Sequence, residues 1–265
     1  KTMVETSDGF KIAEVDLKLR GPGNLMGTQQ SGVLQLKIAD VIKDPELLKA
    51  ARDTAQQIIK KDAEIDAMVK EISVDSLAQN LNKLVSFGTR ATLSNQSSST
   101  KGIGAARAWI LSRFNEYAKS SNGRLSAFID TITYNADKRR VNRPIILGNV
   151  VATLKGTDPN DKRIFVISGH LDSRRSNDMD SVGDSPGAND DGSGTVAVME
   201  CARVMSKHSF PATLIFVTVS GEEQGLLGAY FMANKAKKEN WKIEAVLNND
   251  IMGSNNSNET NIVDN

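Results

Sequence analysis

The chain has 265 residues, with 33 Lys and Arg against 32 Asp and Glu, and a formal charge of +1. That balance gives no global electrostatic case for nucleic acid or an anionic membrane, and no apolar run approaches the ~20 residues that span a bilayer. The length allows one large domain or two small ones with a real core, and a single cysteine, Cys201, rules out an intrachain disulfide.

Residues 1–62 differ in character from the rest. The amino end begins at Lys1 with no legible secretory leader and reads as a cut edge. In GFKIAEVDLKLR, Val15, Leu17 and Leu19 alternate with Glu14, Asp16 and Lys18, which favours a strand; Phe10, Ala13 and Leu17 also fit helical spacing. Gly21-Pro22-Gly23 breaks the pattern into a loop. From Pro45 to about Asp62, Leu47, Leu48, Ala51, Ala55, Ile58 and Ile59 form the stripe of an amphipathic helix. A second helix is expected from Asp75, with Leu77, Leu81, Leu84 and Val85 inward. The polar stretch TLSNQSSSTK at 92–101 reads as a mobile loop. A third helix is expected from about Ile103 to Lys119, carrying Ala106, Trp109, Ile110 and Phe114. Strand-like runs at 123–134 and 145–154 flank ADKRRVN, read as a solvated basic turn rather than a phosphate site.

An alternating series then begins: strand 163–168, helix 192–207, strand 212–219, helix 225–240 and strand 243–249. Continuous apolar strands such as TLIFVTV, interleaved with helices, predict an α/β fold whose mostly parallel sheet is covered on both faces. In the helix at 192–207, Val196, Met199 and Val204 should face inward, with Thr195, Glu200, Arg203 and Lys207 on a polar side and Cys201 a buried, inert thiol. The carboxyl ends of the strands should carry the site.

Acid and histidine side chains gather at those ends: His170 and Asp172 in SGHLDS, Asp190 in PGANDDGSG, Glu222 and Glu223 in VSGEEQG, and Asp250 in LNNDIMG. One imidazole among several carboxylates suits Zn²⁺ or a similar divalent ion. His170 would supply a neutral nitrogen, and Asp172 would hold its other ring N–H. Asp190 could bridge two ions, and Asp250 would close the shell of the first. Of the adjacent Glu222 and Glu223, one would bind metal and the other serve as general base. Taken singly each motif is weak; their joint placement is what points to a metal-dependent hydrolase.

The motifs GHLDSR, PGANDDGSGT, GEEQGLLGA and NNDIMG, in that order, make residues 63–265 resemble the co-catalytic di-zinc aminopeptidases of the bacterial leucyl aminopeptidase and glutamate carboxypeptidase type. The resemblance implies a three-layer sandwich. It places His170, Asp190 and Asp250 on one Zn²⁺, and Asp190 with Glu223 on a second. It also implies a non-proline cis bond after Asp190, and hydrolysis of an amino-terminal peptide bond by a zinc-bound hydroxide with Glu222 as general base. The substrate would be a peptide or protein with a free amino terminus, and the compartment periplasmic or extracellular. The family has a further histidine beyond the position of Asp250, whereas no histidine here follows His208, read as a surface connector residue. A domain incomplete at its carboxyl end, a second site short of an imidazole and weak turnover are therefore expected.

Residues 1–62, with GFKIAEVDLKLRGPGNLMGTQQSG and LKIADVIKDPELLKAAR, resemble the tail of RecG-type branched-DNA helicases. That likeness makes Arg20 and Gln30 polar contacts of a motif coupling ATP-driven motion to DNA. No G-x-x-x-x-G-K-[ST] phosphate loop occurs, so this segment alone moves no DNA. Such helicases are cytoplasmic and the peptidases exported, which favours a fused reading frame over a bifunctional enzyme. The competing readings are a non-catalytic interaction domain of the same fold and a DNA-repair fragment. Serine hydrolysis fares worse, with no second histidine well placed to activate a serine.

Overall fold

The computed structural model describes residues 50, 53–54, 62–137 and 139–253. Arg20 and Gln30 lie outside the described residues. Within the helix expected from Pro45, Ala50, Asp53 and Thr54 are described and are helical. Two compact units meet in sequence between Lys70 and Glu71. The first contributes helix α1, Ala63–Lys70, which buries no side chain. The Asp62 carboxylate caps it, accepting the backbone N–H groups of Glu64 and Ile65 at 3.0 and 3.1 Å.

The second unit is an α/β sandwich. Its elements are α2 (Val74–Val85), α3 (Gly102–Ala118), β1 (Leu125–Tyr134), β2 (Ile145–Leu154), β3 (Arg163–His170), α4 (Gly194–Met205), β4 (Thr213–Val219), α5 (Leu227–Lys238) and β5 (Lys242–Asn248). The strands form one sheet in the order β1-β2-β4-β3-β5. Strands β4, β3 and β5 are mutually parallel, whereas β1 and β2 run antiparallel to each other and β2 runs antiparallel to β4. The sheet is thus mixed, and its parallel half comes from the strand–helix series read in the sequence.

Strand periodicity divides the core. Along β4, Leu214 and Phe216 join Val150, Ala152 and Ile167 in a cluster with Leu84, Ile103, Ile110 and Phe114 of α2 and α3 and with Val198 and Met199 of α4. Ile215, Val217 and Val219 point the other way, with Val151 and Val166, towards Met232 of α5 and Trp241. Both faces of β4 are therefore covered, which is why it reads as an unbroken apolar run, whereas β5 and much of β1 are exposed. The α3 and strand expectations hold to within a few residues, and α2 starts one residue early because the Ser73 hydroxyl caps it by accepting the Ser76 N–H.

Two expectations need correction. The polar 92–101 stretch is built into the unit: Thr92, Leu93 and Ser94 are buried, and Ser94 Oγ accepts the Ile103 N–H at 2.9 Å. Asn95, though exposed, accepts through Oδ1 the N–H groups of Ser97 and Ser98 at 2.9 and 2.7 Å, so its side chain serves the backbone as well as meeting water. The polar side of α4 is also partly interior. Thr195 is fully buried and donates to the His170 carbonyl at 2.9 Å, and buried Glu200 accepts the Ser73 N–H at 2.7 Å. Cys201 is half-buried against the core, and burial raises its thiol pKa.

Candidate metal centre

Carboxyl ends of β3, β4 and β5 lie side by side, so the turns leaving them share one edge of the sheet. His170 ends β3; Glu222 and Glu223 follow β4; Asp250 follows β5. Asp190 comes from the turn Ala188–Ser193, which departs from helical geometry at Asp190 and Asp191 and contains a cis Asp190–Asp191 peptide bond.

His170 is buried, and its Nε2 lies 3.0 Å from Asp190 Oδ1, 3.6 Å from Asp250 Oδ1 and 4.0 Å from Glu222 Oε2. One potential ligand atom from each of His170, Asp190 and Asp250 lies within 4.8 Å of the other two. Despite their proximity, His170 Nε2 and Asp190 Oδ1 make no hydrogen bond, and both are buried without any such partner. Buried polar atoms left without a partner call for one, and an ion between them would supply it. The histidine's Nδ1 is engaged, 3.0 Å from the backbone carbonyl of Asp172. With Nδ1–H donating there, the Nε2 lone pair faces the carboxylates. Burial alone would lower the His170 pKa, but Asp172, Asp190 and Asp250 outweigh it and raise it; the ring in turn holds the Asp190 carboxyl below its usual range. The cluster therefore demands positive charge at that point, and a divalent cation meets the same demand. Side chains of Asp190 and Asp250 are 44% and 41% exposed, which leaves the cluster open to an ion from solvent.

Asp172 is placed differently from the sequence expectation. Its Oδ1 is 3.8 Å from His170 Nδ1, too far for a hydrogen bond, and the ring is held by the Asp172 carbonyl instead. The fully buried carboxylate accepts the Glu222 N–H at 3.1 Å, the Glu223 N–H at 3.2 Å and the Thr92 hydroxyl at 2.8 Å. It orders the turn that carries both glutamates.

Glu222 reaches towards the cluster, and burial, with Asp172, Asp250 and Asp190 nearby, raises its pKa. Glu223 lies outside the three-residue group: its Oε2 pairs with Arg174 Nε at 3.1 Å, and burial pushes its pKa up to about 7. His208 is remote from the cluster, paired with Glu71 at 2.9 Å.

Several contributors escaped the sequence reading. Arg140, from the supposedly solvated basic turn, donates to the Glu223 carbonyl at 2.8 Å and pairs with Asp178 at 3.1 Å. Arg174 joins the same network through Asp178 at 3.2 Å. Arg90, fully buried, donates to the carbonyls of Leu171 and Gly187 at 2.8 and 2.9 Å, tying together the turns after His170 and before Asp190. Burial lowers its pKa to about 10. Only Arg174, inside GHLDSR, stood beside a signal; Arg90 and Arg140 lie far from the motifs in sequence.

Residues 149–264 match the model of Peptidase family M28. The chain is 47% identical over 191 residues to a probable zinc metalloprotease of Leptosphaeria maculans, a match covering 72% of this chain and 44% of that protein. It is 44% identical over 194 residues to a probable zinc metalloprotease of Pyrenophora teres, covering 73% and 40%. The chain thus spans less than half the length of these relatives. Among solved structures, the LapA aminopeptidase of Legionella pneumophila superposes with a TM-score of 0.56 at 25% identity, over 73% of this chain and 47% of that one. A glutaminyl cyclase of Porphyromonas gingivalis shares the fold, with a TM-score of 0.55 at 19% identity over 69% and 62%. Residues 6–88 match the carboxyl-terminal part of domain 3 of the ATP-dependent DNA helicase RecG. That match runs on through α2, whose Leu84 and the following Phe87 belong to the core of the second unit. By its matched model, its fold and the order of its acid and histidine motifs, the segment from 149 to 264 is similar to Peptidase family M28.

Proposed function

We propose that this chain carries the catalytic face of a zinc-dependent aminopeptidase acting on peptides with a free amino terminus. The observation that supports it is the pair of orphaned buried atoms, His170 Nε2 and Asp190 Oδ1, converging with Asp250 on one point. One nitrogen and two carboxylate oxygens suit Zn²⁺. Zinc held there would polarise a scissile carbonyl and make water nucleophilic at neutral pH. Glu222, its pKa raised by burial, accepts the proton of the attacking water and passes it to the leaving amine. Asp172 keeps Glu222 aimed through the backbone N–H it accepts. Glu223, now paired with Arg174, and Asp190 are the carboxylates that would hold a second Zn²⁺. Secretion or export of the peptidase part fits the same reading; among the described residues no helix is long and apolar enough to cross a membrane.

The decisive experiment is elemental analysis of the purified full chain with its His170→Ala variant. Zinc retained by the parent and lost by the variant is the expected result. Equal zinc in both would sink the assignment. Hydrolysis of a leucine chromogenic amide in the presence of Zn²⁺, absent in the variant, would extend the result from binding to chemistry.

A further inference from the structure

Asp191 is fully buried, and nothing in the proposed reaction uses it. Its Oδ2 accepts the backbone N–H of His170 at 2.9 Å, and its Oδ1 accepts those of Gly194 at 2.7 Å and Ile251 at 3.3 Å. These donors lie on the three segments that present His170, Asp190 and Asp250. Two neighbours extend the pattern at alternate positions. Ser193 Oγ accepts the Met252 N–H at 2.8 Å, and Asn189 Oδ1 accepts the Gly253 N–H at 3.0 Å. Three consecutive backbone donors, Ile251 to Gly253, are thus received by Asp191, Ser193 and Asn189 of a single turn. Ile251 has φ +52°, a conformation that a side-chain-bearing residue adopts only when its surroundings hold it. Asp250 has a side chain 41% exposed, so its position depends on its backbone.

We infer that Asn189, Asp191 and Ser193 form a clamp that positions the Asp250 turn against His170 and Asp190, with Asp191 as the principal positioning residue. A loop that leaves β5, which pairs on one side alone among the described residues, is otherwise free to sample conformations in which Asp250 faces away from the other two. The clamp ties it to the turn that carries Asp190, so the ligands move together or not at all. Outside their own turn Asn189 and Ser193 reach the Asp250 side, whereas Asp191 also fixes the end of β3.

The inference rests on the zinc reading for its metal arm only, and the experiment separates the two. Amide hydrogen exchange is measured on the metal-free full chain, parent against Asp191→Ala and against the double variant Asn189→Ala with Ser193→Ala. The Asp191→Ala change removes the acceptor of the Ile251 N–H and should speed exchange there by about tenfold or more, and the double variant should do so at Met252 and Gly253. Zinc affinity, read by competition with a chromophoric chelator, should fall about 10- to 100-fold in Asp191→Ala and less in the double variant. The visible spectrum of bound Co²⁺ should change in Asp191→Ala, which a general loss of stability would not produce. Unaltered exchange at residues 251–253 in the folded variants overturns the clamp whatever zinc does. If Asp191→Ala does not fold, the double variant, whose Asn189 is partly exposed, decides. If the parent binds no zinc while exchange responds as expected, the zinc reading fails and the clamp stands.

Discussion

Replacing Asp172 by Asn distinguishes two accounts of this residue. If its carboxylate held the His170 ring, the change would weaken zinc about 10- to 100-fold, as loss of a partner behind a metal ligand does. The structure gives the ring to the Asp172 carbonyl at 3.0 Å, which Asn retains, and gives the carboxylate to Glu222, Glu223 and Thr92. An amide has one acceptor oxygen. Its least costly orientation keeps that oxygen towards Glu223 N and Thr92 Oγ1 and turns the NH₂ towards Glu222 N, leaving a buried donor facing a donor. One unsatisfied buried N–H costs about 1–3 kcal/mol, and the two surviving bonds weaken by roughly half on losing the charge. The total is about 2–4 kcal/mol. For a unit of this size that lowers Tm by about 5–15 °C, at roughly 2–4 °C per kcal/mol. Thermal unfolding of the metal-free protein reads the first number and chelator competition the second. Zinc affinity within about threefold of the parent, with a clearly lower Tm, is expected. A tenfold or greater loss of zinc affinity at an unchanged Tm would refute this placement of the carboxylate.

The remaining predictions concern the same edge. Glu222→Gln should retain zinc, because Glu222 is outside the His170, Asp190 and Asp250 group, while slowing any amide hydrolysis by about 10²- to 10⁴-fold; loss of zinc in this variant would contradict its role as base. Gly194→Ala should be destabilised by about 2–4 kcal/mol and fail to bind zinc, since the added Cβ would overlap the Asn249 carbonyl and the Asp191 carboxylate; a normal melt would show that the turns yield. Glu223 has its pKa raised from 4.5 to about 7, first by burial. A raised folded-state value means that the folded protein binds the proton more tightly, so its contribution is present below pH 4.5 and is lost as pH rises through about 7. The metal-free chain should therefore lose up to about 3 kcal/mol of stability across that window, and Glu223→Gln should flatten the profile in melts at pH 5 and 8; identical slopes would refute it.

Much of the peptidase-like unit was legible because its signals are local. Apolar runs such as Thr213–Val219 announce strands buried on both faces, and acid or histidine residues just past such runs announce the carboxyl edge of a parallel sheet. The TLSNQSSSTK stretch was misread because composition measures polarity, not where the partners are. Its Asn95 and Ser94 find theirs in backbone N–H groups, one of them at Ile103 on the following helix. Arg140 was misread for the same reason, since the groups that receive it, Glu223 and Asp178, are remote in sequence.

The sequence by itself determined which residues offer metal-binding chemistry, because ligand type belongs to the side chain, and determined the strand–helix alternation, because that belongs to local periodicity. Only the tertiary structure decided how those groups are aimed. It assigned the His170 ring to a carbonyl rather than to the Asp172 carboxylate, left Nε2 facing Asp190 and Asp250, and placed Asp191 beneath three segments at once. Hydrogen-bond partners are chosen by distance and angle in space, and residues 170, 191 and 251 become neighbours only when β5 pairs beside β3.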